Sequence, residues 1–360
     1  MPEITYDRAE TAGYQERFDN WKTAIGLQAV DRLSPSEYLT TLAQDHIEGT
    51  KTIDEVERLV EGYYAKLENH QAAEQTRQDE ADLVSARIAK LLETKTFALT
   101  ENSLRAIHKK LFSGFRGYTP GIYRSYDIVK SEWVLDGDTV QYGHWQTLDD
   151  EIALLVNQEQ CFDYSKLAVA DKVSHIADFT SELWVQHAFL EGNTRTTALF
   201  IIKYLRSIGV VLDNQPFESN SWYFRNALAR ANYRNAAIGI TADDSYLQRF
   251  FDNLLLGKHH ELKNRTIHIY WQQETAAAAA DPVNDPVNDP VTKTLNTTAS
   301  AVLRCLQNNP HATYDNLAAA TGVSRATIRR VIRILKDTGA ITRIGSDKSG
   351  HWSINDRPLR

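Results

Sequence analysis

With 360 residues, 42% of them hydrophobic and 24% charged, the chain is too long for one ordinary core and too apolar for wholesale disorder; two or three domains are expected. Two cysteines, Cys161 and Cys305, exclude a disulfide framework and a cysteine-rich zinc site, and the absence of an apolar run or a basic-then-apolar leader excludes a membrane helix, so a cytoplasmic protein is expected. From Val291 to Arg360 eleven Lys or Arg face four Asp or Glu, a balance of +7, whereas the whole chain carries −7 and residues 1–290 therefore −14; a large acidic body with a small basic appendage implies two jobs, the appendage meeting something anionic.

The body reads as mostly helical. Ile47-Glu48-Gly49-Thr50 looks like a helix end, glycine being a common stop. Thr52-Ile53-Asp54-Glu55 is a capping box opening a helix through Val56, Leu59, Val60, Tyr63, Tyr64 and Leu67. Thr100 and Glu101 open another, through Leu104, Ile107, Leu111 and Phe112. Then the pattern changes. Trp133-Val134-Leu135 and Thr139-Val140-Gln141 flank Asp136-Gly137-Asp138, which predicts a β-hairpin over 131–142. A lone hairpin in a helical body is either surface trim or a flap that clamps an extended partner by strand addition.

His187-Ala188-Phe189-Leu190-Glu191-Gly192-Asn193-Thr194-Arg195 joins two further helices. The first starts near Asp171 with a stripe of Val173, Ile176, Leu183 and Trp184, and His187 falls near that stripe. The second, from Ala198 to Ile208, is apolar nearly all round and reads as the central buried helix, stopped by Gly209. Taken singly, a histidine on an apolar stripe is usually a satisfied core residue, Glu-Gly-Asn is usually a turn, and an arginine in a first turn is usually a surface charge. Together at a helix N-terminus they offer an imidazole, a carboxylate, an amide and a guanidinium beside backbone amides suited to an anion. A phosphate, a divalent cation on it and a nearby base would use that set.

Ala276 to Val291 reads as a semi-rigid linker, with Asp281-Pro282-Val283-Asn284 repeated at once and prolines at 282, 286 and 290. Beyond it, Ala299–Leu306 and Tyr314–Ala320 read as helices, Thr321-Gly322-Val323-Ser324 as a turn, and Ser324 as the cap of a third helix carrying Arg325, Thr327, Arg329, Arg330 and Arg333. Ile341–Ile344 and His351–Ile354 flank Gly345 to Gly350 like a wing. The pattern resembles a winged helix-turn-helix, which implies a third helix in the major groove of duplex DNA, with Ser324, Arg325, Thr327 and Arg329 at the interface. Many such domains bind protein instead.

The 187–195 segment resembles the motif of the Fic family of nucleotidyl transferases, His-x-Phe-x-Asp/Glu-Gly-Asn-Gly/Lys-Arg-x-x-Arg. His187, Phe189, Glu191, Gly192, Asn193 and Arg195 match; Thr194 and Ala198 depart from it, and Ala198 stands where the second arginine belongs. Pro120-Gly121-Ile122-Tyr123-Arg124 is similar to another segment of the family, residues 131–142 fall where its flap lies, and Ser221 to Tyr233 resembles the helix lining its nucleobase pocket. The resemblance implies a mainly α fold: a helical bundle with a β-hairpin flap, plus a small α+β winged-helix domain. It implies an N-terminal helical region over 1–95, a catalytic core over 96–260, a connecting segment over 261–291 and the winged helix over 292–360.

The activity so implied is transfer of AMP from ATP, with Mg2+, to a Ser, Thr or Tyr hydroxyl of a protein target. His187 would be the base and Glu191 the Mg2+ ligand. Gly192, Asn193, Thr194 and Arg195 would hold phosphates, Tyr223 and Asn232 would line the nucleotide pocket, and Trp133, Val134 and Leu135 would form the target-binding flap. Gln44-Asp45-His46-Ile47-Glu48-Gly49 resembles the family's inhibitory helix, which makes Glu48 the expected brake. Relatives commonly dimerise, though no residue here carries that expectation. Two other classes stay open: a DNA-binding regulator whose degenerate domain only senses nucleotide, and a transferase using another donor.

Overall fold

The computed structural model describes residues 3–68, 77–115, 117–270, 302–303, 305–306, 309–321, 325–337, 341–345 and 350–354. The proline-rich repeat, Ser324, Gly339 and the tip of the wing lie outside the described residues. The chain divides into two units, Met1–Ala278 and Ala279–Arg360.

The first unit contains twelve helices of the α type among its described residues: α1 Glu3–Gly26, α2 Glu37–Ile47, α3 Ile53–Glu68, α4 Gln78–Glu93, α5 Glu101–Phe112, α6 Leu148–Gln160, α7 Val169–Gln186, α8 Asn193–Ser207, α9 Gln215–Ser219, α10 Ser221–Ala231, α11 Ser245–Leu256 and α12 Asn264–Ile267. The capping box forms as the sequence predicts: the Thr52 backbone N–H donates to Glu55 Oε2 at 2.7 Å and the Glu55 N–H donates back to Thr52 Oγ1 at 3.3 Å. Thr100 caps α5 by accepting the Ser103 N–H at 3.1 Å. Every residue of α8 from Asn193 to Leu205 is buried, so this helix is the axis of the bundle. Helices α4, α5 and α7 pack on it, and α10 and α11 pack on each other and on α7. One hydrophobic cluster runs from Trp21 to Ile267, so the helices before residue 95 share their core with those after it.

The segment expected as a β-hairpin reverses direction without forming strands. The Glu132 N–H donates to the Asp138 carbonyl at 2.9 Å and the Gly137 N–H to the Glu132 carbonyl at 3.0 Å, but Trp133–Leu135 is a turn of 3-10 helix. The reason is burial. Val134 and Leu135 are adjacent and both fully buried, whereas a strand sends consecutive side chains to opposite faces. Trp133 packs on Trp222 and His268, and the Ile269 N–H donates to the Val134 carbonyl at 3.0 Å. These three side chains are therefore anchored inward rather than offered to a partner.

In the second unit, α13 (Tyr314–Thr321) and α14 (Arg325–Asp337) precede the antiparallel pair β1 (Ile341–Ile344) and β2 (His351–Ile354), with Ile341 opposite Ile354 and Ile344 opposite His351. Val302, Leu306, Leu317, Ile328, Val331, Ile332, Leu335, Ile341 and Trp352 make its core, so one stripe of α14 faces inward while Arg325, Arg329 and Arg333 are exposed. No helix among the described residues is long and apolar enough to cross a membrane.

Candidate active site

The 187–195 loop is held from several sides. His187 ends α7 in the left-handed region, φ 47°, and Gly192 opens α8 at φ 75°. Any side chain at 192 would be strained, and a Cβ there would stand 2.3 Å from the Phe112 ring. Asn193 closes the turn: its Oδ1 accepts the Phe189 N–H at 2.8 Å and its Nδ2 donates to the Phe189 carbonyl at 2.7 Å. Thr194 accepts from the Trp184 indole at 2.9 Å, tying α8 to α7. Arg124 is buried and donates to the His187 carbonyl at 3.0 Å, the Gln186 carbonyl at 3.2 Å and the Gly143 carbonyl.

His108 was not among the predicted site residues. The Gly121 N–H donates to its Nδ1 at 2.8 Å, so Nε2 carries the proton and donates to the Glu191 carbonyl at 3.1 Å. Its ring stacks on Phe189 at 3.7 Å between centroids. Burial pushes its pKa down to about 4, which keeps it neutral. The only sequence signal was a histidine on the apolar stripe of α5, four residues after Leu104.

The His187 imidazole is closed over by aromatic rings. Tyr142 lies 4.1 Å from it and Trp184 5.6 Å, centroid to centroid. The residue is buried and its Nδ1 has no hydrogen-bond partner. Burial, and after it the positive charges of Lys130, Arg225 and Arg124, hold its pKa well below the ordinary histidine value. It is therefore neutral at pH 7, the form a general base needs. Beside it, Glu191 is half-exposed and its Oε1 accepts from Lys130 Nζ at 2.6 Å.

Arg195 is wholly buried and stands in a charge network. Its Nη2 lies 2.7 Å from Asp31 Oδ2 and 2.6 Å from Glu80 Oε1, its Nη1 donates to Gln28 at 3.2 Å, and its Nε has no partner. Burial alone would push the Asp31 and Glu80 carboxyls up. Arg195 and Arg225 at Asp31, and Arg77 and Arg195 at Glu80, outweigh it and hold both below the usual carboxylate range. An imidazole, a carboxylate and a guanidinium on one loop at the start of a buried helix is a set suited to phosphate transfer.

Residues 98–205 match the family described as Fic/DOC, and residues 295–342 match the winged helix-turn-helix DNA-binding family. The chain carries a Fic/DOC domain. A solved structure of a Fic family protein from Desulfovibrio desulfuricans G20 is similar at 14% identity and a TM-score of 0.40, covering 100% of this chain and 98% of that one. No curated protein matches.

Not every residue expected at the site of the Fic domain reaches it. Glu48 caps α2 at the surface, where its Oε1 accepts from Gln44 at 2.6 Å. His46, two residues earlier, faces Glu93 at 3.1 Å near the end of α4, whereas Glu80 at the start of α4 faces Arg195; positions 80 and 93 of one α-helix stand about 20 Å apart. A cavity of about 230 Å3 beside Gln44 and Ile47 contains none of the loop residues. Tyr223 is a core residue donating to the Tyr246 carbonyl at 3.2 Å, and Asn232 donates to Ser181 at 2.8 Å. Their side chains are engaged in packing α10 against α11 and α7. Asn193 and Thr194 likewise spend their side chains on Phe189 and Trp184.

Among the described residues no three metal-ligating side chains gather. Mg2+ commonly takes one or two carboxylates plus substrate phosphates, and Glu191, half-exposed at the loop, fits that role once Lys130 moves aside. In the winged-helix unit, Arg329 is exposed on α14 and Arg325 lies 3.2 Å from Asp315. Ser324 and the Thr327 side chain lie outside what the structure describes.

Proposed function

We infer that the Fic domain is a transferase that moves the AMP of ATP onto the hydroxyl of a protein Ser, Thr or Tyr. The observation that carries this reading is the neutral His187 imidazole on a loop that runs into a helix N-terminus and a buried Arg195. In this mechanism His187 takes the proton of the incoming hydroxyl. The hydroxyl oxygen bonds to the α-phosphorus, the bond from that phosphorus to the bridging oxygen breaks, and pyrophosphate leaves. The amides at the start of α8 and the Arg195 guanidinium stabilise the charge that develops, typically the largest catalytic contribution. Glu191 would hold Mg2+, which would supply further charge neutralisation at the phosphates. The hydroxyl reaches His187 when Tyr142 leaves its ring. Self-inhibition falls in this reading to Glu80, the carboxylate of α4 seated on Arg195, rather than to Glu48.

Intact-mass measurement after incubation with ATP and Mg2+ tests the assignment. The wild type is expected to gain an adenylyl group, or to place it on an added target, while His187→Ala binds ATP but loses transfer by about 10²–10⁴-fold. Equal transfer by the mutant would overturn the role of His187. Competition by CTP, GTP and UTP identifies the donor.

A second reading, a regulator that only senses nucleotide, is favoured by one observation: Ala198 is fully buried and supplies no cation where the family motif has an arginine. ATP bound by every variant, with no mass added by any, supports it. In both readings the winged-helix unit binds duplex DNA through α14.

A further inference from the structure

Arg124 takes three consecutive carbonyls at the end of α7. Its Nε donates to the His187 carbonyl at 3.0 Å, its Nη2 to the Gln186 carbonyl at 3.2 Å, and its backbone N–H to the Ala188 carbonyl at 2.8 Å. A helix C-terminus leaves such carbonyls without partners of its own. His187 stands among them in the left-handed region at φ 47°. A residue with a Cβ holds that conformation at a cost and keeps it only where its surroundings fix it.

The same guanidinium reaches the segment that bears Tyr142. Nη2 also donates to the Gly143 carbonyl, while the Gly143 N–H donates to the Val185 carbonyl at 3.0 Å. Nη1 donates to the Tyr126 carbonyl at 2.8 Å and lies 3.3 Å from Asp127 Oδ1, which accepts the Trp145 N–H at 2.9 Å. The Arg124 side chain is fully buried and that of Asp127 half-exposed. Only a planar fork of five donors spans this many acceptors; an ammonium is a point charge on a flexible stem.

We propose that Arg124 is a positioning residue: its guanidinium sets both the left-handed backbone that aims the His187 imidazole and the place of the Tyr142 segment that covers it. The inference rests on the nucleotide-transfer reading and adds a residue outside the 187–195 loop. With Gly143 and Trp145 pinned, the Tyr142 ring clears His187 by side-chain rotation, and the segment beneath it stays in place.

Arg124→Lys in the full chain tests this, since it keeps the charge and loses the fork. Self-modification with saturating labelled ATP, per folded molecule, is expected to fall by about 10–10²-fold, the cost of a base displaced by about 1 Å. Calorimetric ATP affinity should stay at the wild-type value. Acylation of His187 by diethylpyrocarbonate, read by peptide mass mapping, should become several-fold faster because the cover is no longer held. A role in stability alone would lower the melting temperature and move neither transfer per folded molecule nor acylation. Either of these two left at the wild-type value overturns the proposal. So does a loss of ATP affinity that matches the loss of transfer, which would place Arg124 in the phosphate site. If the wild type transfers nothing, the nucleotide-transfer reading falls, and acylation alone decides the positioning role. Should Arg124→Lys fail to fold, Asp127→Ala carries the test from the surface. It removes the acceptor of both Arg124 Nη1 and the Trp145 N–H, and it should speed acylation of His187 several-fold; an unchanged rate would overturn the proposal.

Discussion

The Tyr142 ring lies over His187 at a tilt of 38° with ring centroids 4.1 Å apart, while its hydroxyl donates to Glu132 Oε1 at 3.1 Å. His187, the proposed base, is therefore covered by a ring whose far end is tied to the same carboxylate that holds Arg225. Tyr142→Ala should expose the imidazole, and acylation of His187 by diethylpyrocarbonate should become several-fold faster than in wild type. Tyr142→Phe keeps the ring and should stay close to wild type. Equal labelling of the alanine variant would show that the ring is not the cover.

Glu48 and Glu80 are separated by the structure, and the two make opposite predictions. Glu80→Gln removes the carboxylate at 2.6 Å from Arg195 and should raise self-modification with labelled ATP per folded molecule. Glu48→Gly disturbs a surface cap bonded to Gln44 and should leave it unchanged. A rise with Glu48→Gly alone would restore the brake expected from the sequence.

Gly192→Ala places a methyl where a Cβ stands 2.3 Å from Phe112, at φ 75°. The backbone cost is about 1 kcal/mol and the clash adds about 1–3 kcal/mol more. Urea unfolding should show a loss of unfolding free energy of that size, read as a lowered midpoint at unchanged m, with transfer lost because α8 can no longer start where it does.

Burial depresses the pKa of three histidines. It pushes His46 and His108 down to about 4, and it lowers His187 well below the ordinary value. Below the unfolded value near 6.5 the unfolded chain takes up protons that the folded chain refuses. Stability should therefore be at its full value above about pH 6.5 and fall as pH drops toward about 4, by up to roughly 1.4 kcal/mol per pH unit for each histidine. Denaturant midpoints measured from pH 7.5 to 5 check the sign. A flat profile would mean that these imidazoles titrate normally.

Arg329 and Arg333 are exposed on α14. Changing each to alanine should weaken duplex DNA binding at low salt and reduce the salt slope by about 1 for each phosphate no longer neutralised. If neither change alters a mobility shift, the unit binds a protein instead.

What could be read in the sequence was what a few neighbouring residues decide. The capping box at Thr52, the cap at Thr100, the buried α8, the left-handed Gly192 and both strands of the wing depend on local hydrogen bonds and on side-chain period, which are written in consecutive residues. The hairpin at 131–142 went wrong because β-favouring residues carry no record of which faces will be covered; Trp222, His268 and Ile269 cover them, and they lie some ninety residues or more away.

The order of the loop, and the expectation that it binds phosphate, came from the sequence alone. Which carboxylates sit on Arg195 was settled only by tertiary structure. Asp31 and Glu80 are separated from it by 164 and 115 positions, and Arg225 meets Asp31 across 194. No local pattern encodes a contact between charges so far apart in the chain. Folding brings them together because a cation buried beside the central helix must find its anions wherever the bundle places them.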